Sequence, residues 1–163
     1  MHLEKEKNNH QVFSMIHIIK TNSKNEEFIN LVIQLDTELA VKDGDDHEFY
    51  HQFNGITDLK YVIVAYKNEQ ALGCGAIKPF DKNSMEVKRM FVPESNRGMG
   101  IATKILTELE VWAASLGYKN CVLETGKKLV EAIALYEKCG YKIIPNYGQY
   151  KGIENSVCFS KAL

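Results

Sequence analysis

Several things are scarce in this chain, and each scarcity excludes something. Its 163 residues include three prolines, one tryptophan and four cysteines. The cysteines (Cys74, Cys121, Cys139, Cys158) make no C-x-x-C pair. Zinc sites need tighter Cys/His clustering, so no metal is expected, and the thiols read as buried and reduced in a cytoplasmic protein. His47 and His51 sit four apart and could share a helix face, but without an H-E-x-x-H frame. Neither sign of charge prevails: 20 basic residues meet 21 acidic ones, for a net charge of -1. The basic excess of a nucleic-acid binder is therefore missing. No apolar run approaches the roughly 20 residues of a membrane span. Residues 1–12 are polar, carry no signal-peptide core and are expected to form a tail. The remainder, 13–163, has the length of one domain with a proper core.

What is there alternates between two periods. "SMIHIIK" (Ser14 to Lys20) reads as a first strand. Ser23 and Glu26 then have capping-box spacing, and Phe28, Leu31, Val32, Leu35 and Leu39 fall on one helical face. An acidic connection, "VKDGDDHEFYHQFNG", has room for a second short helix. "KYVIVAYKNEQALGCGAIKPF" reads as a hairpin turning at "KNEQ". "SMEVKRMFV" is a further strand stopped by Pro93. Ile101, Ile105, Leu109, Trp112 and Leu116 form a helical stripe that Gly117 closes. "NCVLET" is a buried strand, "LVEAIALYEKCG" a helix, and "YKIIP" and "NSVCFSKAL" the last strands. The predicted order, βα(α)βββαβαββ, is a mixed α/β chain.

One turn carries chemistry. Arg97-Gly98-Met99-Gly100-Ile101-Ala102 spells R-x-x-G-x-A at the mouth of the long helix. First-turn amides have no partner inside the helix, and the helix dipole adds partial positive charge there. Gly98 and Gly100 leave the backbone bare, Ala102 keeps the next position small, and Arg97 brings a full charge, so the turn suits a diphosphate. It is not a P-loop, which needs G-x-x-x-x-G-K-[ST], nor a dinucleotide fingerprint, which needs G-x-G-x-x-G after a parallel strand. Spacing alone leaves a plain structural turn equally open.

The context resembles a known family. A strand with Glu86, the R-x-x-G-x-A turn, a long helix, a buried strand and a helix with "AIALYEKCGY" are together similar to the GNAT superfamily of N-acetyltransferases. The resemblance covers Tyr61 to Leu163 well and the first strand and helix loosely. It implies the GNAT acyltransferase fold: a mixed, mostly antiparallel twisted sheet flanked by helices, with splayed central strands. It also implies acetyl-coenzyme A as co-substrate. The amides of Arg97, Gly98, Met99, Gly100, Ile101 and Ala102 would hold its pyrophosphate, with Thr103 close by. The preceding strand would pair with the pantetheine arm along Met90, Phe91 and Val92.

By the same resemblance Tyr136, the tyrosine of "LYEK", would lie near the thioester sulfur and protonate the leaving thiolate. Glu86, on the strand entering the turn, would be the base that takes a proton from the incoming amine. The other readings are a packed aromatic for Tyr136, in phase with Leu129 and Ile133, and an ion pair with a basic neighbour for Glu86. Strand alternation puts Glu86 on one face with Lys88 and Met90. Leu129 stands where many members have an asparagine. Cys121 is expected near the slot but inert, so the amine would attack the thioester directly. The acceptor end would be built by "KDGDDHEFYHQF" and "IPNYGQYKG", with Asp43, Asp45, Asp46 and Glu48 as an acidic lip for a cationic amine, or merely a solvated loop. Tyr50, Phe53, Tyr147 and Tyr150 could wall a pocket there or form core edges. The expected activity is acetyl transfer to the primary amine of a small molecule, or of a protein. A non-catalytic acyl-coenzyme A sensor or scaffold is the rival. No nucleic-acid or membrane partner is expected, and a monomer or a homodimer is equally compatible.

Overall fold

A computed structural model describes residues 15–56 and 58–163. The predicted tail, with His2 and His10, lies outside the described residues. Strands run β1 His17–Thr21, β2 Tyr61–Lys67, β3 Gln70–Pro79, β4 Ser84–Phe91, β5 Asn120–Gly126, β6 Lys142–Ile144 and β7 Ser156–Ala162. Helices are α1 Glu26–Asp43, α2 His47–His51, α3 Ile101–Ser115 and α4 Val130–Lys138, beside short 3-10 turns. The sheet order is β1-β2-β3-β4-β5-β7-β6. Only β4 and β5 pair in parallel; the other neighbours are antiparallel. This is the expected element order and the expected mixed, mostly antiparallel sheet.

Strand alternation divides the core between the two faces. Ile63 and Ala65 of β2 point to one face and join Ile105, Leu106 and Leu109 of α3, with Tyr136 of α4. Val62 and Val64 point to the other and meet Phe28, Leu31 and Leu35 of α1. Each such side chain, fully buried, stabilises the fold by about 1.5–3 kcal/mol relative to exposure. The start of α1 differs from the expected capping box. Asn25 is the cap, its Oδ1 accepting from the Phe28 amide at 2.9 Å. Asn and Ser cap about equally well, so the register of the apolar face decides between them.

Two departures from regularity position the site. The β3–β4 register slips between Cys74↔Phe91 and Ala76↔Lys88, and Arg89 takes φ 57°. The extra residue is a β-bulge. It breaks the alternation expected for β4: Met90 does not share a face with Glu86 and Lys88 but packs with the α3 core. Arg89 instead pairs with Asp36 of α1, so the bulge puts Lys88 and Arg89 on the same side. The second departure is the parting of the parallel pair. β4 and β5 pair at Ser84↔Asn120, Met85↔Cys121 and Glu86↔Val122, and then diverge. A slot opens between them.

Gly73 shows how closely β3 fits this irregular stretch. A Cβ there would lie 2.9 Å from the Phe91 carbonyl oxygen and 2.9 Å from Val92. Overpacking of this kind costs ~1–3 kcal/mol. Gly73→Ala is expected to lower the thermal midpoint by roughly 3–10 °C, read by circular dichroism; an unchanged midpoint would contradict the close approach.

Candidate functional site

A cleft of about 480 Å3 runs from the N-terminus of α3 to the side of α4. Met90, Phe91, Val92, Arg97, Gly98, Gly100, Ile101, Ala102 and Thr103 all line it. Met99, the remaining member of the expected set, is outside the lining and half exposed. The turn has the backbone its sequence suggests. Gly98 and Gly100 have φ of 82° and 76°, and nothing lies within 4 Å of a Cβ built on either. Gly100 is the α3 N-cap and has no side chain to cap with. The amides of the first turn therefore face open space.

The Arg97 side chain does not face the turn. Its Nε donates to the Val92 carbonyl at 2.8 Å, and its Nη2 donates to both Glu38 oxygens at 3.0 and 2.9 Å. The guanidinium fork ties the turn to α1, a bidentate geometry Arg favours. The full charge expected of Arg97 is present at the cleft but is paired with Glu38. Lys128 and Lys138 also line the cleft, as does Lys42, whose Nζ lies 3.5 Å from Glu38 Oε1.

A second cavity, of about 140 Å3, lies on the α1–α2 side of the sheet. Asp43, Tyr50, Lys88, Glu124 and Tyr150 are among its walls. It meets the cleft at Met90, Leu129, Ala132 and Tyr136, which line both. Tyr136 is buried, and its hydroxyl hydrogen-bonds to none of the described residues. Burial, then the Glu124 charge, push its pKa well above the usual phenol value, so it keeps its proton at any ordinary pH. Leu129 precedes α4 as an N-cap without a side-chain bond.

The two carboxylates on the slot strands differ in setting. Glu86 is 4 % exposed and lines neither cavity. Its Oε2 accepts from the Tyr147 hydroxyl at 2.7 Å, and its Oε1 lies 4.0 Å from Lys88 Nζ. Glu124, one turn of alternation beyond Val122 on β5, opens onto the second cavity. Burial raises its pKa to about 7, with Lys88 opposing and Asp43 and Glu86 adding. Ser156 offsets a little of that rise, but its hydroxyl is held by Tyr50 at 2.9 Å. The sequence reading missed Glu124. The signal that marks it is a lone charge following the apolar "CVL" of "NCVLET".

Other expected residues scatter. Of the acidic lip only Asp43 reaches the cavity; Asp45, Asp46 and Glu48 are exposed. Tyr50 and Tyr150 wall the cavity, Phe53 packs on Tyr150 at 5.9 Å, and Tyr147 serves Glu86. Cys121 is fully buried and its thiol is pushed up to about 11, mainly by burial. Thiolate chemistry is closed to it at neutral pH.

The profile of the acetyltransferase (GNAT) family matches residues 26–141. An IAA acetyltransferase of Azospirillum brasilense is 34% identical over 126 residues, covering 73% of this chain and 82% of that protein. Other curated relatives are longer: the chain spans about half the length of three of them, 46%, 53% and 52%. Among solved structures, one from Klebsiella pneumoniae assigned as an acyl-CoA N-acyltransferase has a TM-score of 0.76 at 28% identity, covering 91% of this chain and 98% of that one. An Elizabethkingia anophelis GNAT family acetyltransferase with acetyl-CoA bound has the same fold, with a TM-score of 0.64 at 20% identity and coverage of 91% and 98%. Among the described residues no helix is long and apolar enough to cross a membrane.

Proposed function

The chain belongs to the acetyltransferase (GNAT) family, and from that premise we propose that it moves an acetyl group from acetyl-coenzyme A directly to a primary amine of a small molecule. The observation that carries this reading is the meeting of two cavities at Tyr136, whose hydroxyl bonds to none of the described residues. The larger cleft suits the co-substrate. Its pyrophosphate would rest on the open amides from Gly98 to Thr103, with Lys128 and Lys138 adding the charge that Arg97 withholds. Its arm would pass along Met90, Phe91 and Val92, where the parted strands leave backbone groups free for strand-like pairing. The thioester would then arrive where cleft and cavity join.

The side chains there divide the proton work. An ammonium must lose a proton before its nitrogen can attack a carbonyl carbon. Glu124 opens onto the acceptor cavity and takes that proton. Glu86, held by Tyr147 behind Lys88, fixes the wall instead of touching the acceptor. As the carbon–sulfur bond breaks, Tyr136 gives its phenolic proton to the departing sulfur, and the second proton shed by the acylated nitrogen restores the phenol. Its raised pKa keeps that proton on hand, and no alkaline loss of activity from Tyr136 is expected. Direct transfer suits a site whose buried cysteines are inert.

Thiol release from acetyl-coenzyme A across a panel of amines tests the reading. Amine-dependent release supports it; tight co-substrate binding without release on any amine would favour a sensor or scaffold. Tyr136→Phe is expected to lower kcat about ten- to a hundredfold, with co-substrate affinity within about threefold of wild type, because one proton donor is lost at the chemical step. Unchanged kcat would remove Tyr136 from the chemistry.

A further inference from the structure

The acceptor cavity holds charges of both signs that do not satisfy one another. Lys88 is the sharpest case. Its side chain is 10 % exposed, its nearest carboxylate oxygen is the 4.0 Å contact to Glu86, and its Nζ hydrogen-bonds to none of the described residues. A buried ammonium with no hydrogen bond is costly unless something else completes it. Arg89 stands beside it on the same side because of the β4 bulge. Its guanidinium is buried against Asp36, yet its Nε has no partner among the described residues. Both residues line the cavity. So do Asp43 and Glu124, and among the described residues no cation lies within salt-bridge distance of either carboxyl. Burial is the main cause of the upward shift in both.

We propose that the acceptor is a small aminocarboxylate, an amino acid or a close analogue, whose carboxylate is held by Lys88 and whose ammonium is received by Asp43 and Glu124. The inference rests on the acetyltransferase reading above and gives its acceptor a chemical class. A simple amine or diamine would meet Lys88 as a like charge, which is a device for exclusion as much as for binding. A plain anion would meet two carboxylates. A zwitterion answers both, and a cavity of about 140 Å3 admits a small molecule. Lys88 is thus a specificity-determining residue. Glu86 anchors it from behind, and the Tyr147 bond in turn holds Glu86.

The test compares short α- and ω-amino acids, each paired with the amine that lacks the carboxylate. A charge-assisted hydrogen bond is worth about a ten- to hundredfold preference. Wild type is expected to prefer at least one aminocarboxylate over its decarboxylated partner by that factor in kcat/KM. Lys88→Met is expected to erase the preference, mainly through KM, and Lys88→Arg to restore part of it. Equal loss on both acceptor kinds would make Lys88 a mere counter-ion to Glu86 and overturn the proposal. So would a wild-type preference for the amine. Calorimetry of the coenzyme A-loaded protein with the same pairs reads binding apart from turnover. Acetylation of carboxylate-free amines alone sinks this inference and leaves the acetyltransferase reading standing. Carboxylate-dependent binding without thiol release does the reverse. Binding of no aminocarboxylate overturns the proposal.

Discussion

Glu124→Gln is expected to lower kcat/KM for amine acetylation by about a hundred- to ten-thousandfold, the span of a lost general base. The substitution keeps shape and hydrogen-bonding capacity and removes only the ability to take a proton. Affinity for acetyl-coenzyme A is expected to stay within a few-fold of wild type, since Glu124 lines the acceptor cavity and not the larger cleft. The pH profile adds a second reading. The base works deprotonated, and burial lifts the Glu124 pKa to about 7. Activity is therefore low below that value and rises through it, with a slope of one in the logarithm. Glu124→Gln should lose this limb and keep any limb due to the acceptor ammonium. The comparison with Glu86→Gln is decisive. Glu86 is bonded to Tyr147 and outside both cavities, so its loss is expected to cost about tenfold or less, through the wall it supports. The opposite order of effects would return the base to Glu86.

The contrast between these two carboxylates shows where sequence reasoning reaches and where it stops. Helices and strands were legible because their apolar periods are strong: the α3 stripe buries Ile101, Ile105 and Leu109 almost completely. The backbone of the Gly98–Gly100 turn was legible because glycine at positive φ has a local cause. The face on which a β4 side chain emerges was not. Alternation assumes an unbroken ladder, and a bulge at Arg89 shifts every residue after it. Nothing in "EVKRMF" announces that extra residue. The pairing of Arg97 was hidden for a related reason. Its charge is visible in the sequence, but Glu38, its partner, lies 59 residues away on α1. Glu124 lay hidden in a strand read as core, because one carboxylate in an apolar run does not say which cavity it faces. Tyr136 is the converse: its helical phase with Leu129 and Ile133 suggested packing, and it does pack, yet it lines both cavities and its hydroxyl bonds to none of the described residues.

Gly100→Glu is expected to weaken acetyl-coenzyme A binding about a thousandfold while the protein still folds. Two effects must be separated. The first is strain: Gly100 has φ 76°, and a side chain in that region costs roughly 1–2 kcal/mol. Space is not the obstacle, because a Cβ there meets nothing within 4 Å. The second effect is charge. A carboxylate about 4 Å from a phosphate, at an effective dielectric near 20, costs about 4 kcal/mol, which is roughly a thousandfold in Kd. Gly117→Glu isolates the strain. Gly117 follows the other end of α3, has φ 91° and is equally open, but lies outside the cleft. Both variants should melt a few degrees early, and only Gly100→Glu should lose the co-substrate, as read by calorimetry with acetyl-coenzyme A. Equal binding by the two would mean that the bare backbone at Gly98 and Gly100 serves the turn alone. Selective loss would mean that the space left beside Gly100 is the space a diphosphate fills, with the first-turn amides of α3 as its donors.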